Sequence, residues 1–299
     1  ANLAAVDTTS GAVTSWTCNA SAYVSALAFR DSTLYVAGGF TSLGGQTRRY
    51  LGAVDAASGA PRAWAPDADN AVNALALSDS AVFVGGYFSH VGGEDRRGLA
   101  AIDLASGDAL PFRADADAEL RVLASDGTSV FAGGGFTSIT GLSRHYLAAV
   151  SLTSGSALGW APEANNFVQA LACQGGLVYV GGIFTKVGGI PRNALAAVDK
   201  VNGAVNPWNP GANGIVNAMA IANGKLYAGG DRGMPPPGEK QWSGRPYQIF
   251  VHDGGTKWSV AGSFTRVGAV LRRRLAHWTE AAPGGMAGKV VVMTGATSG

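Results

Sequence analysis

The chain has 299 residues, a formal net charge of +2 at pH 7 and only 14% charged residues, while 44 of its residues are glycine. The small net charge excludes a strong overall field that would attract nucleic acid or an anionic membrane. No apolar run approaches the ~20 residues that a membrane-spanning helix needs, and the many glycines predict short strands joined by tight turns.

A repeat with a period of 48 residues begins near the amino terminus and organises most of the chain. In each copy an apolar run ends at a Phe, a glycine-bearing loop follows, and an Arg comes eight residues after the Phe. The phenylalanines are Phe40, Phe88, Phe136 and Phe184, and the arginines are Arg48, Arg96, Arg144, Arg192 and, in a looser copy, Arg272. Self-similarity at one fixed period indicates a repeat architecture.

Every well-kept copy contains four apolar segments of strand length, rich in β-branched and aromatic residues. In the second copy they are residues 72–77, 81–88, 98–103 and 109–112. Four strands per repeat of about 40–50 residues are typical of a β-propeller blade. We therefore predict an all-β propeller of six blades of four antiparallel strands, with five or seven blades as alternatives. The aromatic residue that ends the fourth segment, such as Trp64, is expected to wedge between blades.

An Asp begins the turn between the third and fourth segments in most copies: Asp55, Asp103 and Asp199, with Ser151 in the third copy. We interpret these residues as turn caps, because Asp can accept hydrogen bonds from backbone N–H groups two or three residues on. The glycine that ends each turn supplies a positive φ. Cys18 and Cys173 occupy different points of the repeat, and no disulfide between them is expected.

The repeat is interrupted after Gly230, and residues 231–246, with three consecutive prolines, are predicted to form an irregular insertion. Such a segment is either a lid over a site or a patch over missing strands. The pattern resumes at residues 247–252, and we assign residues 1–282 to the propeller. The chain opens with only the last two strands of a blade, residues 3–16, so we expect these to complete the blade begun by the last repeat.

The tail, residues 283–299, does not follow the repeat. Residues 286–299 resemble the opening strand and glycine turn of short-chain dehydrogenases, but no helix follows the glycines, so no dinucleotide site is inferred. We expect that the reading frame runs into a neighbouring gene here, and that residues 289–293 serve as an edge strand. At the other end the chain starts at Ala1, so either a leader has been removed or the sequence begins inside a longer gene.

Three repeat motifs carry a family resemblance: Leu-Ala-Ala-Val-Asp-x-x-x-Gly, Trp-x-Pro-x-Ala and Val-Tyr-Val-Gly-Gly-x-Phe-Thr-x-Val-Gly-Gly-x-x-Arg. From residue 3 to about residue 278 the chain resembles bacterial β-propellers built of delta-60-type repeats. This resemblance implies a secreted or cell-surface location. It implies no general biochemical role that can be carried over to particular residues.

One position of the repeat carries oxygen-bearing side chains in every copy: Ser21, Asp69, Asp117, Asn165 and Asn213. In a propeller the loops that hold this position would surround the axial channel. A ring of carboxylate and amide oxygens suits Ca²⁺, which takes six to eight oxygen ligands. We predict a calcium site formed by Asp69, Asp117, Asn165 and Asn213, with loop capping or solvent exposure of these side chains as alternatives.

Two further sets of side chains were weighed as functional. The repeated arginines are interpreted as structural, because a guanidinium can grip the carbonyls of a glycine-rich loop in every copy. His90 and His145 depart from the repeat and are candidate catalytic residues, since His is the common general base. The sequence contains no Gly-x-Ser-x-Gly, His-Glu-x-x-His or P-loop motif, so no nucleophile–base pair can be assembled.

Three functions are compatible with these features. The favoured prediction is an extracytoplasmic propeller, with no assigned reaction, that presents a binding surface to a small molecule, a glycan or a protein. The first alternative is a calcium-dependent hydrolase of ester or phosphotriester substrates, with its site in the axial channel. The second alternative is a carbohydrate-binding module that uses exposed loop aromatics.

Overall fold

A computed structural model describes residues 2–7, 13–212, 214–222, 224–232, 244–252, 257–264 and 289–292 of the protein. This part of the chain is all-β, as predicted, and consists of strands, turns and loops without any helix. Consequently it offers no helix of the length and apolarity needed to cross a membrane.

Twenty-two of the described strands lie before residue 200, five of them in each of four repeats. Two come first: β1 (Ala4–Asp7) and β2 (Val13–Thr17). The first repeat holds β3 (Val24–Arg30), β4 (Thr33–Gly38), β5 (Ser42–Leu43), β6 (Gln46–Thr47) and β7 (Leu51–Asp55). The second holds β8 (Val72–Leu77), β9 (Ala81–Gly86), β10 (His90–Val91), β11 (Glu94–Asp95) and β12 (Leu99–Asp103).

The third repeat holds β13 (Leu120–Ser125), β14 (Ser129–Gly134), β15 (Ser138–Ile139), β16 (Leu142–Ser143) and β17 (Leu147–Ser151). The fourth holds β18 (Val168–Gln174), β19 (Leu177–Gly182), β20 (Lys186–Val187), β21 (Ile190–Pro191) and β22 (Leu195–Asp199). The remaining described strands are β23 (Gly214–Ala222), β24 (Lys225–Arg232), β25 (Gly244–His252), β26 (Lys257–Phe264) and β27 (Lys289–Val292).

Each of the four repeats folds into a three-stranded antiparallel sheet and a small hairpin. The sheets have the orders β3-β4-β7, β8-β9-β12, β13-β14-β17 and β18-β19-β22, and the hairpins are β5–β6, β10–β11, β15–β16 and β20–β21. The register shifts by one residue near the start of the first strand of every sheet, as at Arg121 between Leu120 and Val122 of β13. Such a β-bulge bends the strand and changes the direction of the extra side chain.

The predicted fourth strand is reduced to a single bridge in every repeat. The bridges are Val54–Pro61, Ile102–Ala109, Val150–Ala157 and Val198–Val205. In the second repeat the Leu110 N–H donates to the Ala101 carbonyl at 2.8 Å, and Pro111 follows. Proline holds φ near −65°, far from the roughly −140° of an antiparallel strand, so the chain turns here instead of extending. The prediction of four full strands per repeat is wrong in this respect.

The turn caps predicted before this segment are confirmed. Asp103 Oδ1 accepts the backbone N–H groups of Ala105 at 2.9 Å and Ser106 at 2.8 Å. These hydrogen bonds hold the pKa of Asp103 below its ordinary value. Gly107 ends the turn with φ +83°, a conformation that only glycine adopts readily.

Neighbouring sheets pack closely through small residues and aromatic wedges. A Cβ added to Gly133 of β14 would lie 2.5 Å from Val168 Cγ1 of the next repeat, so glycine permits this approach. Trp64 packs edge-on against Tyr35 at 4.9 Å between ring centroids, and its Nε1–H donates to the carbonyl of Asp103 in the next repeat at 2.9 Å. The wedge predicted for this tryptophan is therefore observed.

The first strands of successive sheets contact one another in turn. β3 contacts β8, β8 contacts β13, β13 contacts β18, β18 contacts β23, β23 contacts β25, and β25 contacts β3. The two chain ends also meet, because β1 pairs antiparallel with both β2 and β27. The tail strand predicted over residues 289–293 thus exists as β27, and it also contacts β26.

The irregular insertion is shorter than predicted where the structure describes it. Asp231 and Arg232 extend β24, opposite Ile215 and Gly214 of β23, and β25 already begins at Gly244. Pro246 stands beside the register shift of β25, and a bulge is one of the few places in a sheet that tolerate proline. Residues 233–243 lie outside the described residues. Cys18 and Cys173 are free thiols.

Candidate functional site

The loops that the sequence predicted on one face do lie together. The segments that lead into the first strand of each sheet, here called the lead-in segments (residues 17–23, 65–71, 113–119 and 161–167), pair with the short hairpins through single bridges. The bridges are Ala20–Leu43, Ala68–Val91, Ala116–Ile139 and Ala164–Val187. We call this end of the sheets the hairpin end.

Asp69 lies in a lead-in segment and caps the hairpin beside it. Its Oδ1 accepts the backbone N–H groups of Ser89 at 2.8 Å and His90 at 3.1 Å, and its Oδ2 accepts the Ser89 hydroxyl. Burial raises the pKa of Asp69, but the hydrogen bonds outweigh it and leave the pKa lowered. The hairpin therefore stabilises the charged carboxylate.

The same repeat position acts in the same way in the neighbouring copies. Asp117 Oδ1 accepts the backbone N–H groups of residues 137 and 138 at 2.9 and 3.0 Å. Asn165 Oδ1 accepts those of residues 185 and 186, both at 2.9 Å. Ser21 uses its hydroxyl oxygen for the corresponding bonds in the first repeat. One cap per hairpin is thus built from three different residue types.

The calcium prediction requires the oxygens of this set to converge on one point. In the described part of the chain, no three His, Cys, Asp or Glu side chains are grouped so that they would hold a metal ion. Asn213 lies outside that part. Because one oxygen of Asp69, Asp117 and Asn165 already accepts two N–H groups, its lone pairs are largely used. The hydrogen bonds favour capping, and calcium binding stays a prediction.

His90 and His145 each pair with a carboxylate at the hairpin end. His90 Nδ1 lies 3.1 Å from Asp95 Oδ1, and His145 Nδ1 lies 3.1 Å from Glu163 Oε1. Both pairs are exposed, and a carboxylate at this distance would orient the ring of a general base. The two histidines have separate partners and form two independent pairs. Their catalytic role stays a prediction. His277 lies outside the described residues.

The repeated arginines fasten each hairpin to the fourth segment of its repeat. Arg96 is 6% exposed, and it donates to the carbonyls of Asp95 at 2.8 Å and Leu110 at 3.1 Å. Arg48, Arg144 and Arg192 likewise bond the carbonyl of the preceding residue and the carbonyl 14 residues further on. The structural interpretation of these four arginines is confirmed. Arg272 is outside the described residues.

A pocket of about 280 Å³ lies at the hairpin end, between residues of the second, third and fourth repeats. The larger polar and aromatic residues that line it are Tyr87, Arg97, Asp117, Glu119 and Phe167, and Gly86, Gly98 and Gly135 also line it. We call it the aromatic pocket. It combines aromatic rings with charged groups of both signs, which is the usual composition of a site for a small polar ligand.

A continuous chain of contacts holds the side chains of the aromatic pocket in place. The Arg121 guanidinium lies 4.7 Å from the centroid of the Phe167 ring and donates to Glu119 Oε1 at 2.7 Å. The Glu119 side chain is only 11% exposed. Burial raises the pKa of Tyr87, and a hydrogen bond with Glu119 raises it further. The Tyr87 ring, although 52% exposed as a residue, is thus tied to a buried anchor.

The residues of the aromatic pocket other than Asp117 were not predicted from the sequence, where His90 and His145 were the candidates that depart from the repeat. The signal was nevertheless present. The position of Tyr87 holds Gly39, Gly135 and Ile183 in the other copies, and that of Glu119 holds Tyr23, Ala71, Phe167 and Ile215. The position of Arg121 holds Ser25, Asn73, Gln169 and Asn217. Three neighbouring departures in one place break the symmetry that the structural positions keep.

Comparison with known proteins identifies no family. No family model matches the sequence, and no curated protein matches it either. Two similar solved structures are computationally designed proteins. Ika8 has a TM-score of 0.49 at 18% identity over 69% of this chain and 55% of its own, and Ika4 has a TM-score of 0.40 at 18% identity over 54% and 86%.

A third similar structure is the extracellular domain of a protein from B. thetaiotaomicron. It has a TM-score of 0.50 at 14% identity and covers 78% of this chain, while this chain spans only 31% of it. At this level of identity the likeness supports a shared all-β fold and nothing more specific. The chain therefore spans about half of the first of these structures and about a third of the last.

Proposed function

We propose that this protein is a six-bladed β-propeller of the delta-60 repeat type that acts outside the cytoplasm and binds a ligand at its hairpin end. The fold proposal is supported by the order in which the first strands meet, since β3, β8, β13, β18, β23 and β25 contact one another in turn and β25 returns to β3. The pairing of β1 with β27 supports closure of the ring by both chain ends.

The extracytoplasmic setting rests on the resemblance of the repeat motifs to secreted and cell-surface propellers. It is in keeping with the extracellular domain from B. thetaiotaomicron to which the fold is similar. We assign no reaction to the protein. The tail resembles the start of a dehydrogenase only in sequence, and we propose no dinucleotide binding there.

The observation that carries the binding proposal is the departure of Tyr87, Glu119 and Arg121 from the repeat at one pocket. The other three well-kept copies have Gly or Ile at the position of Tyr87. Exposure alone does not distinguish Tyr87, since Phe29 is similarly exposed, but Tyr87 also lines the aromatic pocket, where its ring is accessible to a ligand. The Glu119 side chain, which is 11% exposed, and its partner Arg121 then serve to hold that ring in position.

The test is a ligand-observed NMR screen of a mixed library of saccharides, amino acids, short peptides and esters. We expect ligands that bind the wild type and are lost in Tyr87→Gly, which installs the residue found at this position in the first and third repeats. Phe29→Ala is the matched control, because Phe29 is similarly exposed, at 50%, but lies near the last residue of β3, away from the hairpin end. If no ligand distinguishes Tyr87→Gly from the wild type, the binding proposal is wrong.

A calcium-dependent hydrolase of esters or phosphotriesters is the second candidate. The specific observation in its favour is the His145–Glu163 pair at 3.1 Å, the geometry that orients a general base. Turnover of p-nitrophenyl acetate and of paraoxon, with Ca²⁺ and with chelator, tests it. We expect His145→Gln and Glu163→Gln to abolish turnover, whereas turnover that survives in both variants would rule out this base.

A further inference from the structure

The aromatic pocket presents a stacking surface whose orientation is set before any ligand arrives. Tyr87 is the exposed ring and lines the pocket beside Glu119, which raises the Tyr87 pKa and is itself bonded to Arg121 at 2.7 Å. Arg121 is stacked on Phe167, whose ring lies so close to Gly135 that a Cβ there would be 2.4 Å from Phe167 Cε1. Because this chain of contacts is already formed, a ligand that stacks on Tyr87 need not order the ring.

The charged groups at the pocket cancel one another. Arg97 and Asp117 line it together with Glu119, and Arg121 neutralises Glu119 at 2.7 Å. A cationic ligand would have to displace Arg121 from Glu119 and from the Phe167 ring. An anionic ligand would approach the carboxylates of Asp117 and Glu119, of which Asp117 is held charged by its hydrogen bonds. The balance of two cations and two anions therefore favours a ligand without net charge.

The rim of the pocket supplies both kinds of hydrogen-bonding group. The Arg97 guanidinium carries five N–H donors, and one nitrogen donates to the Asp117 carbonyl at 3.1 Å. Asp117 Oδ1 is used by two backbone N–H groups, but Oδ2 accepts the Thr137 hydroxyl and can accept one further hydrogen bond at the same edge. A donor and an acceptor that line the same pocket as an aromatic ring match a sugar ring, which carries hydroxyl groups on its edge and C–H groups on its face, since the face of an aromatic ring is electron-rich.

We propose that the aromatic pocket binds a neutral saccharide, with one sugar ring stacked on Tyr87 and its hydroxyl groups bonded to Arg97 and Asp117. This inference rests on the proposed binding function and specifies its ligand class. The pocket volume, about 280 Å³, is at the lower limit of ligand sites, which span roughly 300–1,000 Å³, and suits a single ring with the rest of a chain outside it.

Isothermal titration with three related probes tests the ligand class. A panel of neutral methyl glycosides of glucose, galactose, mannose, xylose and N-acetylglucosamine is titrated first, and the best binder is then compared with its uronic acid and its 2-amino counterpart. We expect the neutral glycoside to bind more tightly than both charged forms. Its affinity should change little between 50 and 500 mM salt, because screening acts only on net charges (about 10 Å Debye length at 0.1 M).

Variants connect the binding to the pocket. Tyr87→Ala should weaken the best neutral glycoside by about tenfold, the equivalent of one lost aromatic stacking contact, and Phe29→Ala should leave it unchanged. Tyr87→Phe keeps the ring but loses the hydrogen bond to Glu119, so we expect an intermediate affinity. Tighter binding of the uronic acid or the amine, equal affinity of Tyr87→Ala, or no glycoside binding would each overturn the saccharide proposal. If the mixed library still yields Tyr87-dependent ligands of another class, the binding function itself stands.

Discussion

Replacing Asp69 by Ala separates the capping of a hairpin from the binding of calcium. In the structure the substitution removes the acceptor for two backbone N–H groups, of Ser89 and His90, and for the Ser89 hydroxyl. By analogy with helix caps, we expect a loss of about 1 kcal/mol in the free energy of unfolding. For a chain of this size that corresponds to a fall of about 1.5–2 °C in melting temperature.

The assay is a melting curve by circular dichroism, recorded with 2 mM Ca²⁺ and again with excess EDTA. If Asp69 is a cap, Asp69→Ala lowers the melting temperature equally in both conditions. If Asp69 binds calcium, the variant is destabilised mainly when Ca²⁺ is present, because a ligand that binds only the folded state stabilises it by mass action. Asp69→Asn is the matched control, since Asn165 fills the same role in the fourth repeat through its Oδ1. We expect Asp69→Asn to lose less stability than Asp69→Ala.

The pH dependence supplies a second measurement on the same residue. The pKa of Asp69 is lowered in the folded state, so the stabilisation of its charged form is present above the unfolded pKa of about 3.9 and is lost as the pH falls through the folded pKa. The stability difference between wild type and Asp69→Asn should therefore close in acid. A loss in Asp69→Ala that appears only with Ca²⁺ and vanishes in EDTA would refute capping as the main role.

Three other substitutions test the structural assignments. Arg96→Lys should lower the free energy of unfolding by about 1–3 kcal/mol in urea titration, because a single ammonium cannot bond both carbonyls with the guanidinium geometry. Unchanged stability would contradict the structural role of Arg96. Gly133→Ala should destabilise through its contact with the next repeat, while Gly159→Ala, where an added Cβ meets nothing within 4 Å, should be neutral; equal melting temperatures would refute the close packing. Burial raises the pKa of Asp126, but hydrogen bonds, one of them from Lys200, lower it overall to about 2. The stability advantage of wild type over Asp126→Asn should therefore be present at pH 7 and shrink from about pH 4 towards pH 2. A stability advantage that does not depend on pH would contradict this cause.

Much of the fold could be predicted because the same pattern of strand and turn residues occurs in four copies of the repeat. Strand β8 is observed at Val72–Leu77, as predicted, and the turn caps and tryptophan wedges follow from residue types at fixed repeat positions. The fourth segment was predicted to be a full strand, but in each of the four repeats it forms only a single bridge. In the second repeat its residues are apolar like those of a strand, and Phe112 is buried, but Pro111 bends the backbone out of the ladder. Hydrophobicity alone does not distinguish the two cases.

The site divides in the same way between sequence and structure. The sequence by itself determined which positions repeat, and hence that Arg96 belongs to a structural set. For Asp69 it predicted calcium binding with capping as an alternative, and the hydrogen bonds of the structure favour the cap. Only the tertiary structure decided that Tyr87, Glu119, Arg121 and Phe167 meet, because they come from three different repeats and are joined by the packing of separate sheets. Contacts within a repeat are encoded by local spacing, whereas contacts between repeats depend on how closely the sheets approach, and that distance is set by the small residues between them.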